Sequence, residues 1–394
     1  MISVQDAKQI IDQQIQALPT KVMPLAMAAG YTLAEDSYAK QDIPAFEQSS
    51  MDGYAIRFED VEGPLTIHGE MQAGATVHAT LLPGHASRIF TGAPLPLGSD
   101  TVVMQEKVTI TDGQLNITDL NLNKGNNVRH TGAEAAAGAL AIPKGTKLTP
   151  AALGFLAGIG ETEVTVYRAP TVAIIVTGKE LQQPGSALSF GQVYESNSFA
   201  LTAALEQVQV NQINFYSADD VLEELTAVLR EALDNNDLVL LTGGVSVGDY
   251  DFVLRAAQNC GVAQLFHKVK QKPGKPLYFG KKGGKIVFGL PGNPSSVLSC
   301  FYQYVLPAIG KMEGRPFTGL KAVHASLTHD FYTKTAGLTH FLKAHFEDGK
   351  VTPLNAQESF RMSSFAQANC MIELEEEQTV YTAGTTVKVY LIPE

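Results

Sequence analysis

The sequence predicts a multidomain protein of the α/β-plus-β class. We expect a three-layer α/β domain, an inserted β domain and a C-terminal β domain that resembles a barrel. The 394 residues are too many for one ordinary hydrophobic core, so several domains are expected. From about residue 169 to residue 316, apolar runs typical of buried strands alternate with helical patterns. Short alternating segments on both sides of this region indicate separate β domains.

The N-terminal part begins with an amphipathic helix. Ser3 and Asp6 have the spacing of a capping box, and the apolar residues that follow have helical periodicity. Residues 46–132 contain short alternating segments with an Asp112–Gly113 turn, which predicts a small β domain. The segment TPAALGFLAGIG after it has a second helical pattern. The β domain is therefore interpreted as an insertion within an elongated helical and linker domain.

The central region predicts regular α/β structure. The runs TVAIIV, QINFY, LVLL and IVFGL have the composition of strands, and each is followed by a helical pattern. We expect Asn197 to cap the first of these helices, Asp219 or Asp220 to cap the next, and the last to begin at Ser295. Such alternation implies a parallel sheet with helices on both faces. Ligands bind such sheets at the carboxyl ends of the strands.

The C-terminal region predicts a second β domain. The segment FLKAHFEDGKVTPL is typical of a hairpin with an Asp-Gly turn, and TTVKVYLI alternates as a strand does. Its length fits a small barrel or sandwich. The expected domains are an N-terminal helical and linker domain (1–45 and 133–168), an inserted β domain (46–132), an α/β domain (169–316) and a C-terminal β domain (317–394).

Composition excludes several classes of protein. Apolar residues make up 45% and charged residues 18%, as in a globular protein. A formal net charge of -11 argues against a nucleic-acid binder. No apolar run has the length of a membrane helix, and the first residues lack the features of a signal peptide. Three dispersed cysteines form neither a disulfide framework nor a zinc site. We expect a cytoplasmic protein without membrane or nucleic-acid partners.

Three glycine- or lysine-rich segments follow one another in the α/β region. They are TGGVSVGDYDF, KQKPGKPLYFG and GLPGNPSS. Glycine turns at strand ends let backbone N–H groups approach an anion. Lysines bind phosphate as point charges, and carboxylates bind Mg²⁺ that bridges phosphate to the protein. The segments therefore predict a site for a phosphorylated ligand handled with a metal ion.

Six motifs occur along the chain in a recognisable order. They are SSMDGYA, TGAPLPLGSDTVVMQE, GKELQQPG, GGVSVGDYDF, KPGKPLYFG and GLPGNPSS. A single glycine turn is a weak signal, but several of these motifs are long and rare. In this order the chain resembles the molybdopterin molybdenumtransferase family, which includes the C-terminal domain of gephyrin. The resemblance covers nearly the whole chain.

The resemblance implies an activity, an assembly and a cofactor. The implied substrates are adenylylated molybdopterin and molybdate, and the implied reaction releases AMP and inserts molybdenum into the dithiolene. A divalent cation, usually Mg²⁺, takes part. The implied assembly is a homodimer of four-part subunits, in which the β insertion of one subunit faces the α/β domain of the other. Other enzymes of cofactor biosynthesis are possible partners for substrate delivery.

The resemblance also implies site residues. The expected catalytic residues are Asp52, Thr91, Glu180, Asp220 and Asp251, of which Glu180, Asp220 and Asp251 are also the expected metal ligands. The expected substrate-binding residues are Arg129, Asn197, Gly243, Gly244, Ser246, Lys268, Lys272, Lys275, Gly292, Asn293 and Ser296. From the residues alone, Asp52 is better explained as a turn former. Thr91 is equally a cap or a ligand hydroxyl, and each of the three acids is equally a helix cap.

The chain departs from the family pattern at three places. Lys179 stands where an acid is often found before the glutamate, and GAEA at Gly132–Ala135 replaces a usual Gly-Glu-Asp, with Glu134 as a possible substitute carboxylate. Leu338 and Lys343 lie in a region where an arginine is often seen, and Lys343 keeps the charge without the bidentate fork. These departures concern the periphery of the anion site more than its centre.

Two other functions stay open at this point. A molybdopterin adenylyltransferase uses the same α/β module, but as a stand-alone module it lacks the flanking β domains. A non-catalytic scaffold, as in gephyrin, is the second alternative. Intact Asp52, Asp251 and Lys272 favour retained chemistry over the scaffold.

Overall fold

The structure is a computed structural model that describes residues 1–76, 79–244, 252–333 and 335–393. The chain divides into two compact units. The first unit comprises Met1–Val22, Gly30–Ala34 and Thr165–Glu394, and the second comprises Met23–Ala29 and Glu35–Val164. The finer division into four domains stays a prediction. In the described ranges, no helix has both the length and the apolar character that crossing a membrane requires.

The helices are short and lie mainly in the first unit. They are α1 (Val4–Gln14), α2 (Pro150–Gly158), α3 (Asn197–Glu206), α4 (Leu222–Asn235), α5 (Phe252–Asn259), α6 (Pro294–Cys300), α7 (Leu306–Met312) and α8 (Met362–Phe365). A π-helical turn, Phe301–Val305, joins α6 to α7. Single 3₁₀ turns occur at Leu25–Met27, Phe58–Asp60 and Gln105–Lys107.

The strands form several sheets. Up to the α/β region they are β1 (Thr20–Pro24), β2 (Ser37–Tyr38), β3 (Gln48–Ser49), β4 (Gly53–Ile56), β5 (Leu65–Met71), β6 (His85–Ile89), β7 (Thr101–Met104), β8 (Val108–Thr111), β9 (Gln114–Ile117), β10 (Val128–Arg129), β11 (Leu140–Ile142) and β12 (Glu163–Tyr167). The α/β region contains β13 (Val172–Thr177), β14 (Leu181–Gln182), β15 (Val193–Tyr194), β16 (Ile213–Ala218), β17 (Leu238–Thr242), β18 (Ala263–His267), β19 (Gln271–Lys272), β20 (Tyr278–Lys282) and β21 (Lys285–Leu290). The C-terminal strands are β22 (Ala322–Leu327), β23 (Phe331–Tyr332), β24 (Thr339–Glu347), β25 (Lys350–Pro353), β26 (Cys370–Leu374), β27 (Val380–Tyr381) and β28 (Thr386–Leu391).

Helix α1 begins with the predicted capping box. The Ser3 hydroxyl accepts a hydrogen bond from the Asp6 backbone N–H at 3.0 Å, and the Ser3 N–H donates to the Asp6 carboxylate at 3.3 Å. These two bonds satisfy N–H groups that have no partner inside the helix. The buried face of α1, with Ala7 and Ile11, joins the same hydrophobic core as the α/β sheet.

The central sheet has the order β16-β13-β17-β21-β20-β18. The first four strands are parallel, with β13 between β16 and β17 and with β17 next to β21. The last two, β20 and β18, pair antiparallel. The expectation of a purely parallel sheet is therefore wrong at this edge, where a short turn at Gly283 and Gly284 returns the chain from β20 into β21 without a helix.

Helices cover both faces of this sheet and make three layers. Alternate residues of β17 point to different cores: Leu238 and Leu240 pack with α3 and α6, whereas Val239 and Leu241 pack with α4 and α5. This alternation is the two-residue period of a strand. All five residues of β17 are buried, which is why its sequence is uniformly apolar up to Thr242.

Two predicted helix caps are wrong. Helix α3 begins at Asn197 itself, and the Glu195 carboxylate accepts from the Ser198 N–H at 2.8 Å. Helix α4 has Val221 as its N-cap residue and no side-chain cap, so neither of the preceding aspartates caps it. Asn and Asp favour caps on average, but here tertiary contacts decide where the helices begin.

The C-terminal strands close into the predicted barrel. Strands β24, β25, β22, β28 and β26 pair in this order, and β26 pairs back with β24. The Asp-Gly turn lies between β24 and β25, with positive φ at Asp348 and Gly349. The strand β19 from the α/β region pairs in parallel with β24 of the barrel. This pairing brings the segment after β19 next to the barrel.

The second unit contains a six-stranded sheet of order β7-β4-β6-β5-β9-β8. Strands β8 and β9 form a hairpin through the predicted turn at Asp112 and Gly113, whose φ values of 50° and 76° are left-handed. Residues of β4 alternate between two cores, with Tyr54 in one and Ala55 in the other. The prediction of short strands in this region is confirmed.

Candidate active site

A cavity of about 800 Å³ lies at the carboxyl ends of β13, β17 and β21. The chain turns away from each of these strands through polar or glycine-rich segments, as expected for a ligand site in an open α/β sheet. Ten of the predicted site residues line the cavity: Glu180, Asn197, Asp220, Gly243, Gly244, Lys272, Lys275, Gly292, Asn293 and Ser296. The sheet topology therefore gathers residues that are far apart in the sequence.

The glycine turns lie close to one another. Gly243 and Gly244 have φ values of 85° and 63°, a region that side chains disfavour. A Cβ atom on Gly243 would lie 2.8 Å from the Thr177 carbonyl oxygen, and one on Gly292 would lie 3.8 Å from the Gly243 Cα. Glycine is thus required at residue 243, and the absence of side chains leaves the backbone open to the cavity.

The segment Lys272–Lys275, here called the lysine loop, forms another wall of the cavity. Both lysines are exposed, and Gly274 between them is buried with a φ of 83°. A Cβ atom at Gly274 would lie 2.5 Å from the Cys300 sulfur. The loop therefore lies directly against α6, with its ammonium groups outward. Lysines in this position supply positive charge to the cavity in an acidic protein.

Two carboxylates, Glu180 and Asp220, also line the cavity. Burial raises the pKa of Asp220, and the negative charges of Glu180 and Asp219 raise it further, against the opposing effect of Lys179. The third expected metal ligand, Asp251, lies outside the described residues. Within the ranges that the structure describes, no group of three histidine, cysteine or acidic side chains is arranged to hold a metal ion.

This donor set is nevertheless compatible with Mg²⁺. The ion usually binds one or two protein carboxylates and completes its octahedral shell with water and substrate oxygens. The negative charge of Glu180 helps to raise the pKa of Asp220, and a bound divalent cation would relieve this repulsion. Oxygen ligands, with no histidine or cysteine among the described residues that line the cavity, fit magnesium better than zinc.

The polar side chains at and next to the start of α6 mostly form hydrogen bonds with protein groups. Asn197 donates to the Gly292 carbonyl at 2.9 Å, and Asn293 donates to the Ser359 hydroxyl at 2.9 Å. The Ser296 N–H donates to the Asn293 carbonyl at 2.9 Å. Ser296 therefore offers its hydroxyl to a ligand, and its backbone amide is already satisfied.

Asp52, Thr91 and Arg129 lie in the second unit. Asp52 is exposed on the turn before β4, and Thr91 donates two hydrogen bonds to its carboxylate. Arg129 is an exposed residue of β10. Glu134, the possible substitute carboxylate, is also exposed, and its N–H donates to the Ile43 carbonyl at 2.8 Å.

Several predicted residues lie elsewhere. Lys268 is not among the residues that line the cavity, and Ser246 lies outside the described residues. Lys343 is 3% exposed, and its ammonium donates to the carbonyls of Ala356, Glu358 and Arg361 at 2.8, 3.3 and 3.1 Å. Its charge therefore holds a loop of the barrel together. It is unavailable to an oxyanion, which corrects the expectation of a peripheral anion contact.

A second cavity of about 830 Å³ adjoins the first and shares Gly178, Leu181 and Glu195 with it. Its wall is acidic, with Lys179 as the basic residue among several carboxylates, namely Glu195, Glu206, Asp219 and Glu224. An acidic wall repels phosphate and molybdate. The cavity with the lysine loop is the better candidate for an anionic ligand, although it is slightly smaller.

Sequence reasoning missed several residues of the cavity wall, among them three polar residues next to the lysine loop or in the barrel. Gln271 precedes the lysine loop, and Gln357 and Ser359 come from the barrel. Gln271 had a signal, since it is polar and directly adjacent to a predicted loop. The other two had none, because a contact over about sixty residues between loops leaves no local pattern.

Three family models match successive parts of the chain. Residues 2–160 match the MoeA N-terminal region (domain I and II), residues 173–311 match a probable molybdopterin binding domain, and residues 326–392 match the MoeA C-terminal region (domain IV). A molybdopterin molybdenumtransferase of Haemophilus influenzae is 34% identical over 398 residues, which cover 99% of this chain and 98% of that protein. The chain belongs to the molybdopterin molybdenumtransferase family.

Further relatives of this family agree. The molybdopterin molybdenumtransferase of a Nostoc species is 35% identical over 414 residues, with 100% of this chain and 94% of that protein covered. The crystal structure of a molybdopterin biosynthesis moeA protein from Pyrococcus horikoshii OT3 superposes with a TM-score of 0.85 at 29% identity and covers 100% of both chains. The predicted fold class is confirmed by this similarity.

Membership of the molybdopterin molybdenumtransferase family also bears on the adenylyltransferase alternative. A stand-alone molybdopterin-binding module accounts for residues 173–311 only. The matches to both MoeA regions extend over the rest of the chain. The family therefore explains the inserted and C-terminal β structure, which the alternative leaves without a role.

Proposed function

We propose that the protein inserts molybdenum into molybdopterin, using adenylylated molybdopterin and molybdate as substrates and releasing AMP. The observation that carries this proposal is the cavity in which Lys272 and Lys275 lie with Glu180 and Asp220 at the carboxyl ends of the parallel strands. Both substrates are oxyanions, and a basic loop beside glycine turns suits them. The names of the relatives support the same activity.

The lysine loop would bind oxyanions of the substrates. Lysine ammonium groups bind phosphate or molybdate oxygens as point charges, and exposed backbone at Gly243 and Gly292 allows close approach. The hydroxyl of Ser296 adds a neutral donor. In this arrangement the protein orients a phosphoanhydride and holds molybdate beside it, so that both ligands are held in one orientation.

Glu180 and Asp220, together with Asp251, would hold Mg²⁺. When bound, the ion supplies charge stabilisation to phosphate oxygens. The carboxylates would supply the protein ligands of the ion in the same cavity that contains the lysine loop. Asp219 lies in the wall of the adjacent cavity, so it is a structural neighbour of this set and not a proposed ligand.

The protein would act as a homodimer in the cytoplasm, with other enzymes of cofactor biosynthesis supplying its substrate. Asp52, Thr91 and Arg129 would act on the substrate bound by the partner subunit. Mixing an Asp52→Asn protein with a Lys272→Ala protein tests this idea, because heterodimers would contain one intact site. Recovered activity is the expected result, and no recovery despite proven subunit exchange would contradict it.

The proposed activity is tested with purified protein, adenylylated molybdopterin, molybdate and Mg²⁺. We expect AMP release together with formation of active cofactor, measured by chromatography and by reconstitution of an apo-molybdoenzyme. A Lys272→Ala/Lys275→Ala variant serves as the matched control and should lose both signals. Adenylylation of free molybdopterin with ATP would instead show an adenylyltransferase. Absence of all these reactions, with the protein folded, would favour the scaffold.

A further inference from the structure

Gln271 is a buried amide directly before the lysine loop. Its side chain is 1% exposed, and its amide nitrogen donates to the Gly274 carbonyl at 2.8 Å and lies 3.5 Å from the Cys300 sulfur. The bond to Gly274 closes the loop from inside, since it joins the residue before Lys272 to the residue before Lys275. The amide thus determines how far apart the two ends of the loop lie.

Tyr304 orients this amide. Its side chain is fully buried, and its hydroxyl donates to the Gln271 amide oxygen. Burial raises the pKa of Tyr304 well above its usual value, so the hydroxyl keeps its proton and remains a donor. With the oxygen of Gln271 engaged by Tyr304, the amide nitrogen faces Gly274.

The backbone carrying Tyr304 is unusual. Tyr304 belongs to the π-helical turn Phe301–Val305, which interrupts the helix running from α6 to α7. Such turns insert one residue into a helix, change the direction of the following side chains and recur at functional sites. Here the turn lies immediately after Cys300, which also contacts the lysine loop.

The backbone around the lysine loop also forms a strand pairing, one backbone hydrogen bond and a packing contact. Strand β19 fixes the backbone of Gln271 and Lys272 by pairing with Thr339 and His340 of β24. That pairing ends before Gly274. The Val269 N–H donates to the Lys275 carbonyl at 3.0 Å, and Gly274 contacts Cys300 by packing. The Cys300 thiol donates only a long hydrogen bond of 3.8 Å to the Gly274 carbonyl, so the Gln271 side chain makes the shorter of the two side-chain hydrogen bonds from the interior to this part of the loop.

We propose that Gln271 and Tyr304 are positioning residues that set the geometry of the lysine loop for oxyanion binding. The proposal rests on the proposed function of the cavity. Gln271 belongs to the cavity wall, but its side chain is 1% exposed and both polar atoms of its amide are engaged by protein groups, and Tyr304 is fully buried. Each residue therefore acts through Lys272 and Lys275. A buried amide and a buried hydroxyl are tolerated because they satisfy each other and the Gly274 carbonyl.

The test compares Gln271→Leu, Tyr304→Phe and the double variant in the full-length protein. The control is Asn236→Leu, which removes another buried amide whose nitrogen donates to a backbone carbonyl. Asn236 lies just before β17, whereas the cavity lies at the other, carboxyl end of that strand. Two quantities are measured: the dissociation constant for molybdate by calorimetry, and the hydrogen exchange of the Gly274 and Lys275 amides. The first reports oxyanion binding, and the second reports loop order without any ligand.

We expect Gln271→Leu to weaken molybdate binding and to accelerate loop exchange by about tenfold each, the effect of losing one well-placed buried hydrogen bond. Tyr304→Phe should act in the same direction, and the double variant should be no worse than Gln271→Leu. Asn236→Leu should lower thermal stability and leave both quantities unchanged.

A folded Gln271→Leu protein with wild-type affinity and wild-type exchange would overturn the inference. If that variant does not fold, Tyr304→Phe decides, because it removes one hydroxyl and leaves the packing intact. If the wild-type protein fails to bind molybdate, the function of the cavity is contradicted. Exchange of the loop then still decides whether Gln271 and Tyr304 position it.

Discussion

The Asp52 carboxylate accepts two hydrogen bonds from Thr91, one from its backbone N–H and one from its hydroxyl, both at 2.8 Å. These bonds lower the pKa of Asp52, the backbone bond more than the side-chain bond, with a smaller contribution from Arg88. Thr91 thereby keeps an exposed carboxylate ionised and in one orientation. The two residues come from different turns of the second unit, so the pair is a product of the fold.

Replacing Thr91 by valine should raise the pKa of Asp52. The backbone bond remains, whereas the hydroxyl bond that favours the charged carboxylate is lost. Titration of the Asp52 carboxyl carbon by NMR measures this change. Thr91→Ser retains a hydroxyl and should leave the pKa close to that of the wild type. An unchanged pKa in Thr91→Val would mean that the hydroxyl contributes nothing to it.

The lysine loop and Lys268 should differ in their effect on oxyanion binding. Lys272→Ala or Lys275→Ala should each weaken molybdate binding by about 1–3 kcal/mol, the range for a charge-assisted hydrogen bond. Lys268→Ala should leave the affinity unchanged, since Lys268 is not among the cavity-lining residues. Calorimetry at a fixed salt concentration measures all three. An equal loss in Lys268→Ala would show that the ligand extends beyond the cavity.

Asp220→Asn should weaken Mg²⁺ binding, measured by calorimetry at pH 7. Because the pKa of Asp220 is raised, protons should compete with the metal at a higher pH than for an ordinary carboxylate. The wild-type affinity should therefore fall as the pH is lowered towards the pKa of Asp220. Glu223→Gln, an exposed change in the first turn of α4, is the control and should bind like the wild type. Unaltered Mg²⁺ binding by Asp220→Asn would exclude Asp220 as a ligand.

Lys343→Met should destabilise the barrel. The change leaves three carbonyl oxygens without their ammonium donor, and loss of charged hydrogen bonds costs about 1.5–3 kcal/mol. Unfolding in urea measures the loss. Lys350→Met, a change at the exposed first residue of β25 in the same hairpin, should change the free energy of unfolding little. Similar losses in both variants would argue that the buried ammonium has no special role.

The ion pair of Asp237 and Arg168 should make the stability of the folded protein depend on pH in the acidic range. Burial alone would raise the pKa of Asp237, but hydrogen bonds from Arg168 and Thr171 outweigh it and lower that pKa to about 2. Because folding lowers the pKa of Asp237, the ionised carboxylate contributes to the stability of the folded state. This contribution is fully present above the pKa of the unfolded chain, near 3.8, and is lost as the pH falls towards 2. The melting temperatures of wild type and Asp237→Asn should therefore differ at pH 7 and converge in this window. A constant difference would contradict the linkage.

Local signals were sufficient for much of the fold. The capping box at Ser3, the Asp112–Gly113 turn and the buried strand β17 all depend on residues that are neighbours in the sequence. The direction of β20 was not predictable in this way, because an apolar run has the same pattern in parallel and antiparallel pairs. The predicted caps of α3 and α4 were wrong because α3 already includes Asn197 and α4 begins after Val221, which has no capping side chain. A sequence pattern locates the start of a helix only to within a few residues.

The residues of the candidate site that directly follow strands could be predicted from the sequence. Gly243, Lys272 and Asn293 follow buried strands or lie between them, and a parallel sheet gathers such positions at one edge. Ser359 was not predictable, because its place beside Asn293 depends on the packing of the barrel. Lys343 is the reverse case. Its place in the sequence associates its positive charge with the anion site, but the structure buries its ammonium group against backbone carbonyls.

The parallel pairing of β19 with β24 makes the α/β region and the barrel depend on each other, so neither can be deleted without affecting the other. A shortened gene that stops after residue 316 would retain both lysines of the lysine loop but remove Thr339 and His340, the backbone partners of Gln271 and Lys272. It would also remove Ser359, whose hydroxyl and carbonyl hold the start of α6. The barrel is thus a structural part of the anion site, and swapping it between relatives would exchange one wall of that site.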